Sequence, residues 1–373
     1  YKGFDQTYSD YSVEFDEFFY ESKFYKQGKE IVSRGLKDGI FVEKDNAIVA
    51  PLEKFGLPDK VLVRSDSTTL YVTQDLFMAV DNFAKLGIKK RIYVVGSEQI
   101  LYFQQLFRVL ELLGYDWAKD LYHFSYGMVY LPEGKMKSRE GKVVDADDLL
   151  NDMLVLAKLE LMKRNSFSDK ELEEKLQEFD KKVGAGNVSV QEKNSVLEEK
   201  KKNLLVHGRL GKDEIESRAK TIALAAIKFY MLRVDSAKDM HFNPAESISF
   251  EGETGPYLLY TYARAKSILR KSEEIKAIAK YSSLDKPTEQ NLIALLSEYP
   301  QILKNSLTSM SLHVLCRYLI SLSAGFNSFY NSVQVLSEQD QGILKARLEL
   351  IQSVSIVLQN GAKILGINVL EEM

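Results

Sequence analysis

Between residues 61 and 130, short apolar runs alternate with helical stripes, and glycines punctuate the change from one period to the next. Val61–Leu62–Val63 is apolar and β-branched. Leu70–Tyr71–Val72–Thr73 is a second strand-like run, and a helix is expected from about Asp75 to Leu86, ended by Gly87. Ile92–Tyr93–Val94–Val95 stops at Gly96. Ile100, Phe103, Phe107, Leu110 and Leu113 then recur at helical spacing up to Gly114. Strand, glycine turn, helix is the pattern of a parallel sheet with helices on its faces. Such sheets bind ligands outside the carboxyl ends of their strands. That rule selects two polar groups, Tyr71 to Asp75 and Ser97–Glu98–Gln99.

The flanks read differently. Residues 1–60 mix aromatic runs with charge: helices are expected over Phe18–Gln27 and Glu30–Leu36, short strands at Gly39–Phe41 and Ala47–Pro51. A basic, glycine-bounded loop runs from Gly134 to Lys142, and a helix is expected over Asp147–Leu161. Residues 163–212 are rich in Lys, Glu, Asn and Gln, as in a solvated helical hairpin or a flexible insertion. From residue 213 onward the pattern is almost wholly helical. Leu344, Leu348, Ile351, Val354, Leu358 and Leu365 make one apolar stripe; Leu315, Leu319, Leu322, Phe326 and Phe329 make another. The expected fold is therefore α/β followed by an all-α bundle.

At 373 residues the chain has length for two or three domains. Its net charge of −3 removes any global basic field, so nucleic acid would have to be held by local patches. The single cysteine, Cys316, excludes an internal disulfide and fits a reducing cytoplasm. No apolar run approaches a membrane span, and no signal peptide is expected. The start at Tyr1, in mid-pattern, suggests a fragment.

Each candidate group has an ordinary structural explanation beside a chemical one. Asp75 is either a helix N-cap or a carboxylate for a cation, and a guanidinium fork suits it best. Gln99 follows the neighbouring strand and would lie beside Asp75. The Lys135–Lys142 loop is a solvated turn or a holder of phosphate oxygens. It is not a P-loop, because six residues rather than four separate Gly134 from Gly141 and Val143 follows Lys142. The histidines His123, His207, His241 and His313 have no ligand spacing, so no protein-bound metal is expected. Cys316 sits on a helix packing face. Tyr257, Tyr260 and Tyr262 interleave with Arg264, Lys266, Arg270 and Lys271, and Phe326, Phe329 and Tyr330 follow on a later helix. Such rings are core or a stacking surface for RNA bases.

The order of these segments resembles that of class I arginyl-tRNA synthetases. Arg64–Ser65–Asp66 with Leu70–Asp75, then Tyr93–Gln99, are similar to two successive family blocks. Tyr126–Gly127–Met128–Val129 and Gly134–Lys135–Met136–Lys137–Ser138–Arg139–Glu140–Gly141–Lys142 resemble the family's form of the KMSKS loop. Phe250–Tyr260 with Ala263–Arg264, Phe326–Tyr330, Leu365–Ile367 and Glu371–Met373 are similar to its anticodon-binding domain. The resemblance spans nearly the whole chain except roughly 163–212.

It implies the second half of a Rossmann-type catalytic domain over 1–150, with an inserted subdomain over about 1–60. A charged helical connector or insertion would fill 151–215, and a helical anticodon-binding domain 216–373. It further implies that Tyr71, Asp75 and Gln99 bind arginine, and that Gly127, Met128 and Val129 lie near adenine. Lys135, Met136, Lys137, Ser138 and Arg139 would close over ATP, with Lys135, Lys137 and Arg139 as catalytic cations. Tyr260, Arg264, Phe326 and Tyr330 would contact the anticodon. Partners would be L-arginine, ATP with Mg²⁺, and tRNA(Arg), acting on a cytoplasmic monomer. Two departures stand out: the second lysine of the loop comes one place early, and no His-x-Gly-His element occurs anywhere in the sequence. The chain alone is therefore expected to bind tRNA without forming the adenylate. Another class I synthetase with the same helical domain, or a non-catalytic tRNA-binding paralogue, are the competing readings.

Overall fold

The computed structural model describes residues 1–20, 23–131, 134–135, 145–165, 212–272 and 275–373. Two compact units emerge: Glu14–Met128, and Tyr1–Val13 together with Val129–Met373. These divisions differ from the expected boundaries at 150 and 215.

The chain begins with α1 (Lys2–Asp10), which belongs to the larger unit. In the smaller unit, α2 (Tyr25–Lys37) leads into a hairpin of β1 (Val42–Lys44) and β2 (Ala47–Ala50). Asp45 and Asn46 turn it with φ of 53° and 59°. Two successive left-handed residues make the hairpin turn whose twist matches its strands, and Asp and Asn tolerate that conformation best after glycine. β3 (Lys60–Val63) joins β2 antiparallel. After it, Arg64–Ser65–Asp66 forms a tight turn in which Asp66 accepts from the Thr68 amide and hydroxyl at 2.9 and 2.6 Å.

One expectation is corrected here. Leu70–Thr73 is not a strand, because α3 spans Tyr71–Leu86, with only Leu70 extended. Thr73 closes the first turn by donating its hydroxyl to the Leu70 carbonyl at 2.8 Å. Val72 and Thr73 bury the helix face they share with Leu76 and Ala79. An apolar run of three or four residues cannot by itself distinguish the two periods. Asp75 thus lies one turn inside the helix and is no N-cap. Gly87 ends α3 at φ 60°, as a left-handed C-cap should.

β4 (Arg91–Gly96) pairs in parallel with β5 (Leu121–Tyr126), and α4 (Ile100–Leu112) makes the crossover. The βαβ unit expected from the sequence is this one, while β3 belongs to the separate antiparallel sheet. Leu62, Leu76, Leu106, Val109 and Leu110 are fully buried in its core.

The larger unit starts its second stretch with β6 (Val129–Leu131), paired antiparallel with β7 (Gly134–Lys135) and parallel with β8 (Met240–His241). α5 (Ala146–Asn165) packs against α6 (Lys212–Leu232), so the first part of the expected connector is helical core. α1 is tied to this pair by Thr7 donating to Asp147 at 2.8 Å and by a Lys220–Asp10 ion pair at 2.8 Å. After the single turn α7 (Pro244–Ser247) come α8 (Gly255–Lys271), α9 (Pro287–Thr308), α10 (His313–Ser332) and α11 (Gln341–Ile364). Both apolar stripes read from the sequence are buried along their whole length.

Cys316 lies in that core, and burial pushes its thiol up to about 12. The thiolate is the reactive species, so at neutral pH the folded protein should resist alkylation by iodoacetamide. Labelling is expected only after denaturation; rapid labelling of the native chain would contradict the packing.

Candidate functional site

The first cluster lies in the smaller unit. Tyr71 and Asp75 are one helical turn apart and share a face of α3. Tyr71 is 75% exposed at the helix start, while Asp75 is half-buried. Gln99 is exposed in the single 3-10 turn Ser97–Gln99 that follows β4. That is the carboxyl end of a parallel strand, where such sheets place ligands.

The link between α3 and this strand end is Tyr102, whose hydroxyl donates to the Asp75 carboxylate. Burial and the neighbouring carboxylate both hold the Tyr102 phenol well above its usual range. It therefore stays protonated, with its hydroxyl donating to the Asp75 carboxylate. Lys60 lies over the Tyr102 ring, 4.7 Å from its centroid, with burial lowering its ammonium pKa. Tyr93 stands close by; its buried hydroxyl has no hydrogen-bond partner among the described residues, and burial pushes it up to about 12. His123 donates from Nε2 to the Val95 carbonyl at 3.0 Å, a bond between the two parallel strands.

Sequence reasoning missed Tyr102 and Tyr93. Tyr102 sits beside Phe103 in an aromatic run and reads as packing. Its spacing of three from Gln99 was the available signal, since it places the hydroxyl one helical turn beyond the strand end.

Gly127 and Met128 follow β5, and Val129 begins β6. Lys135 ends β7, its backbone paired opposite Tyr130. Met136, Lys137, Ser138 and Arg139 lie outside the described residues, as does the charged stretch 166–211.

The second cluster lies in the larger unit. Thr254 caps α8, accepting from the Tyr257 amide at 3.2 Å, and Pro256 fits the first turn, where no amide is needed. Gly255 is required by contact: a Cβ there would fall 2.1 Å from the Ala225 carbonyl oxygen of α6. Cap and close approach together fix α8, which aligns Tyr257, Tyr260, Thr261 and Arg264 along one face.

Arg264 is held on several sides. It donates to Asn327 at 2.5 Å and to the Tyr260 hydroxyl at 2.8 Å. Its guanidinium carbon lies 4.6 Å from the Tyr260 ring centroid and 4.7 Å from that of Tyr330. Tyr260, Arg264 and Tyr330 line a groove of about 1110 Å³ that continues past Arg270 and Lys271. The acidic end of the chain borders it: Lys266 pairs with Glu371 at 3.0 Å, and Arg270 with Glu372 at 3.2 Å. Tyr330 is 42% exposed, so one side of its ring is open.

Phe326 does not belong to this surface. It is fully buried beside Phe329, so its ring cannot meet a base. The apolar stripe to which it belongs decided its place.

Comparison with known proteins identifies the family. The model for the catalytic domain of class I tRNA synthetases (R) matches residues 2–198, and that for the DALR anticodon binding domain matches 258–373. The chain belongs to the arginyl-tRNA synthetase family. It is 38% identical over 378 residues to an arginine–tRNA ligase of Phocaeicola vulgatus, and 39% identical over 380 residues to one of Porphyromonas gingivalis. Each match covers 100% of this chain and 56% or 57% of the relative. The chain thus spans little more than half the length of its curated relatives. In fold it is similar to Thermus thermophilus arginyl-tRNA synthetase, with a TM-score of 0.75 at 24% identity, over 99% of this chain and 62% of that one. No helix among the described residues is long and apolar enough to cross a membrane.

Proposed function

We propose that this arginyl-tRNA synthetase chain takes part in activating L-arginine with ATP and transferring it to the 3′ end of tRNA(Arg). The observation that carries the reading is Asp75, an acceptor held by Tyr102 at the carboxyl end of a parallel strand. A planar guanidinium presents paired donors to such a carboxylate, whereas an ammonium lacks the fork and leaves acceptors unmatched. Tyr71 and Gln99 flank the substrate. Gly127, Met128 and Val129 contact adenine, mostly through backbone. Lys135, Lys137 and Arg139 neutralise the pyrophosphate as it leaves, and Met136 and Ser138 complete the loop over ATP.

The chemistry is two transfers. The arginine carboxylate attacks the α-phosphorus and pyrophosphate departs. A hydroxyl at the tRNA 3′ end then attacks the arginyl carbonyl and AMP departs. Mg²⁺ accompanies ATP as part of the substrate. In the helical unit, Tyr260, Arg264 and Tyr330 take the anticodon loop, the rings by stacking and the cation through bases or phosphates.

The test is equilibrium binding of this chain to tRNA(Arg), with the middle anticodon base as C or changed, at one stated salt concentration. A loss of about 1–3 kcal/mol on changing the base is expected. Equal binding would remove the anticodon role of the groove. A second expectation follows from the sequence, which contains no His-x-Gly-His element. Arginine-dependent pyrophosphate exchange by this chain alone should stay at background; measurable exchange would mean that residues 1–373 suffice for adenylation.

A further inference from the structure

We infer that Asn327 is a positioning residue for RNA recognition, holding the Arg264 guanidinium between the two tyrosine rings that line the groove. The inference deepens the proposed anticodon role and rests on that reading.

The amide of Asn327 makes three hydrogen bonds to α8. Its oxygen accepts from Arg264 at 2.5 Å, and its nitrogen donates to the Tyr257 hydroxyl at 3.0 Å and to the Thr261 hydroxyl at 3.1 Å. The orientation of the amide is fixed by its partners. Arginine has no acceptor, so the amide oxygen must face it, and the NH2 must face the two hydroxyls. Thr261 is itself pinned, donating to the Tyr257 carbonyl at 2.9 Å. Asn327 is therefore a rigid bracket set by three residues of a neighbouring helix, and its free valence is spent on one guanidinium.

That spending has a geometric result. Arg264 could otherwise sample many rotamers, since a long side chain on a partly exposed helix face keeps much of its freedom. With Asn327 and the Tyr260 hydroxyl both accepting from it, the guanidinium lies near the rings of Tyr260 and Tyr330. A flat cation fixed beside aromatic rings offers directed N–H donors to an unstacked base, while the open side of the Tyr330 ring offers the stacking face. A mobile arginine would offer only charge, which phosphates accept without regard to sequence. Asn327 thus separates base recognition from general RNA attraction.

The test compares wild type, Asn327→Leu, Asn327→Ser and Asn327→Asp. Each is titrated with two hairpin RNAs carrying the arginine anticodon loop, with C or another base at the middle position, and with single-stranded polyuridine. Leucine removes the acceptor for Arg264, and serine draws it back by one bond length, out of reach of the guanidinium; aspartate keeps an acceptor in place. The leucine and serine variants should lose about fivefold or more of the preference for C, the lower end of what one stacked base supplies. Their affinity for polyuridine should stay within about twofold, the scatter expected of independent sites. Aspartate should retain the preference while binding every RNA more weakly, because its charge offsets that of Arg264. Serine, being small, keeps the test open should leucine fail to fold.

Two results overturn the inference: an undiminished preference in leucine and serine, or an equal loss in all three variants, which would mark Asn327 as ordinary packing. A wild type that binds both hairpins and polyuridine alike would instead overturn the anticodon reading of the groove, and the role of Asn327 with it.

Discussion

Replacing Arg347 by Met is expected to destabilise the helical bundle by about 3–5 kcal/mol, the usual consequence of leaving one partner of a buried ion pair alone. Glu289 is 0% exposed and Arg347 5% exposed. Arg347 donates from Nε to Glu289 at 2.7 Å and from one terminal nitrogen to Glu338 at 2.6 Å. The other oxygen of Glu289 accepts from the Lys286 amide at 3.0 Å, at the start of α9. Methionine matches much of the arginine stem but leaves the carboxylate without a cation. At a slope of roughly 2 kcal/mol per molar urea, the unfolding midpoint should fall by about 1.5–2.5 M. The double variant Glu289→Gln with Arg347→Met should recover most of the loss, since glutamine still accepts from Lys286 and carries no charge. A drop below about 1 kcal/mol in the single variant would mean that water reaches Glu289.

Asp75→Ala is expected to reduce arginine use by about 2–5 kcal/mol, or roughly 30- to several-thousand-fold in kcat/KM, as for truncating one side of a buried charged hydrogen bond. Because the chain spans little more than half the length of its curated relatives, the assay uses a chimera in which the unmatched part of such a relative is joined to residues 1–373. Tyr102→Phe in the same chimera should produce a smaller loss, on the order of the 1.5–3 kcal/mol of one hydrogen bond to a charged group. ATP affinity should be unchanged in both. Unaltered kcat/KM for arginine in Asp75→Ala would remove that residue from substrate recognition.

Much of the larger unit was legible because helical stripes of five or six apolar residues leave little choice. Leu344 to Leu365 and Leu315 to Phe329 are buried as read. Gly87 and Gly114 end their helices at φ 60° and 83°, conformations that glycine alone adopts without strain. The βαβ unit was legible for the same reason: Ile92–Val95 is a complete apolar run stopped by a glycine. Short runs failed. Leu70–Thr73 is four residues long, and its period was set by where Val72, Thr73 and Leu76 could be buried, with Gly28 letting α2 reach within contact of the Thr73 carbonyl.

The sequence by itself determined the strand–helix–strand order of 92–126, the two main apolar stripes and the residue types proposed for a guanidinium site and an RNA surface. Those features depend on local period and on side-chain chemistry, both of which are written in the order of residues. Only the tertiary structure decided which of those residues meet. Tyr102 reaches Asp75 because α3 packs against α4, and Asn327 reaches Arg264 because α10 packs against α8. The same packing withdrew Phe326 from the surface and left Tyr330 on it. Which rings serve the core and which face outward is settled by helix rotation, and that is fixed by the sum of burial over a whole helix rather than by any one aromatic residue.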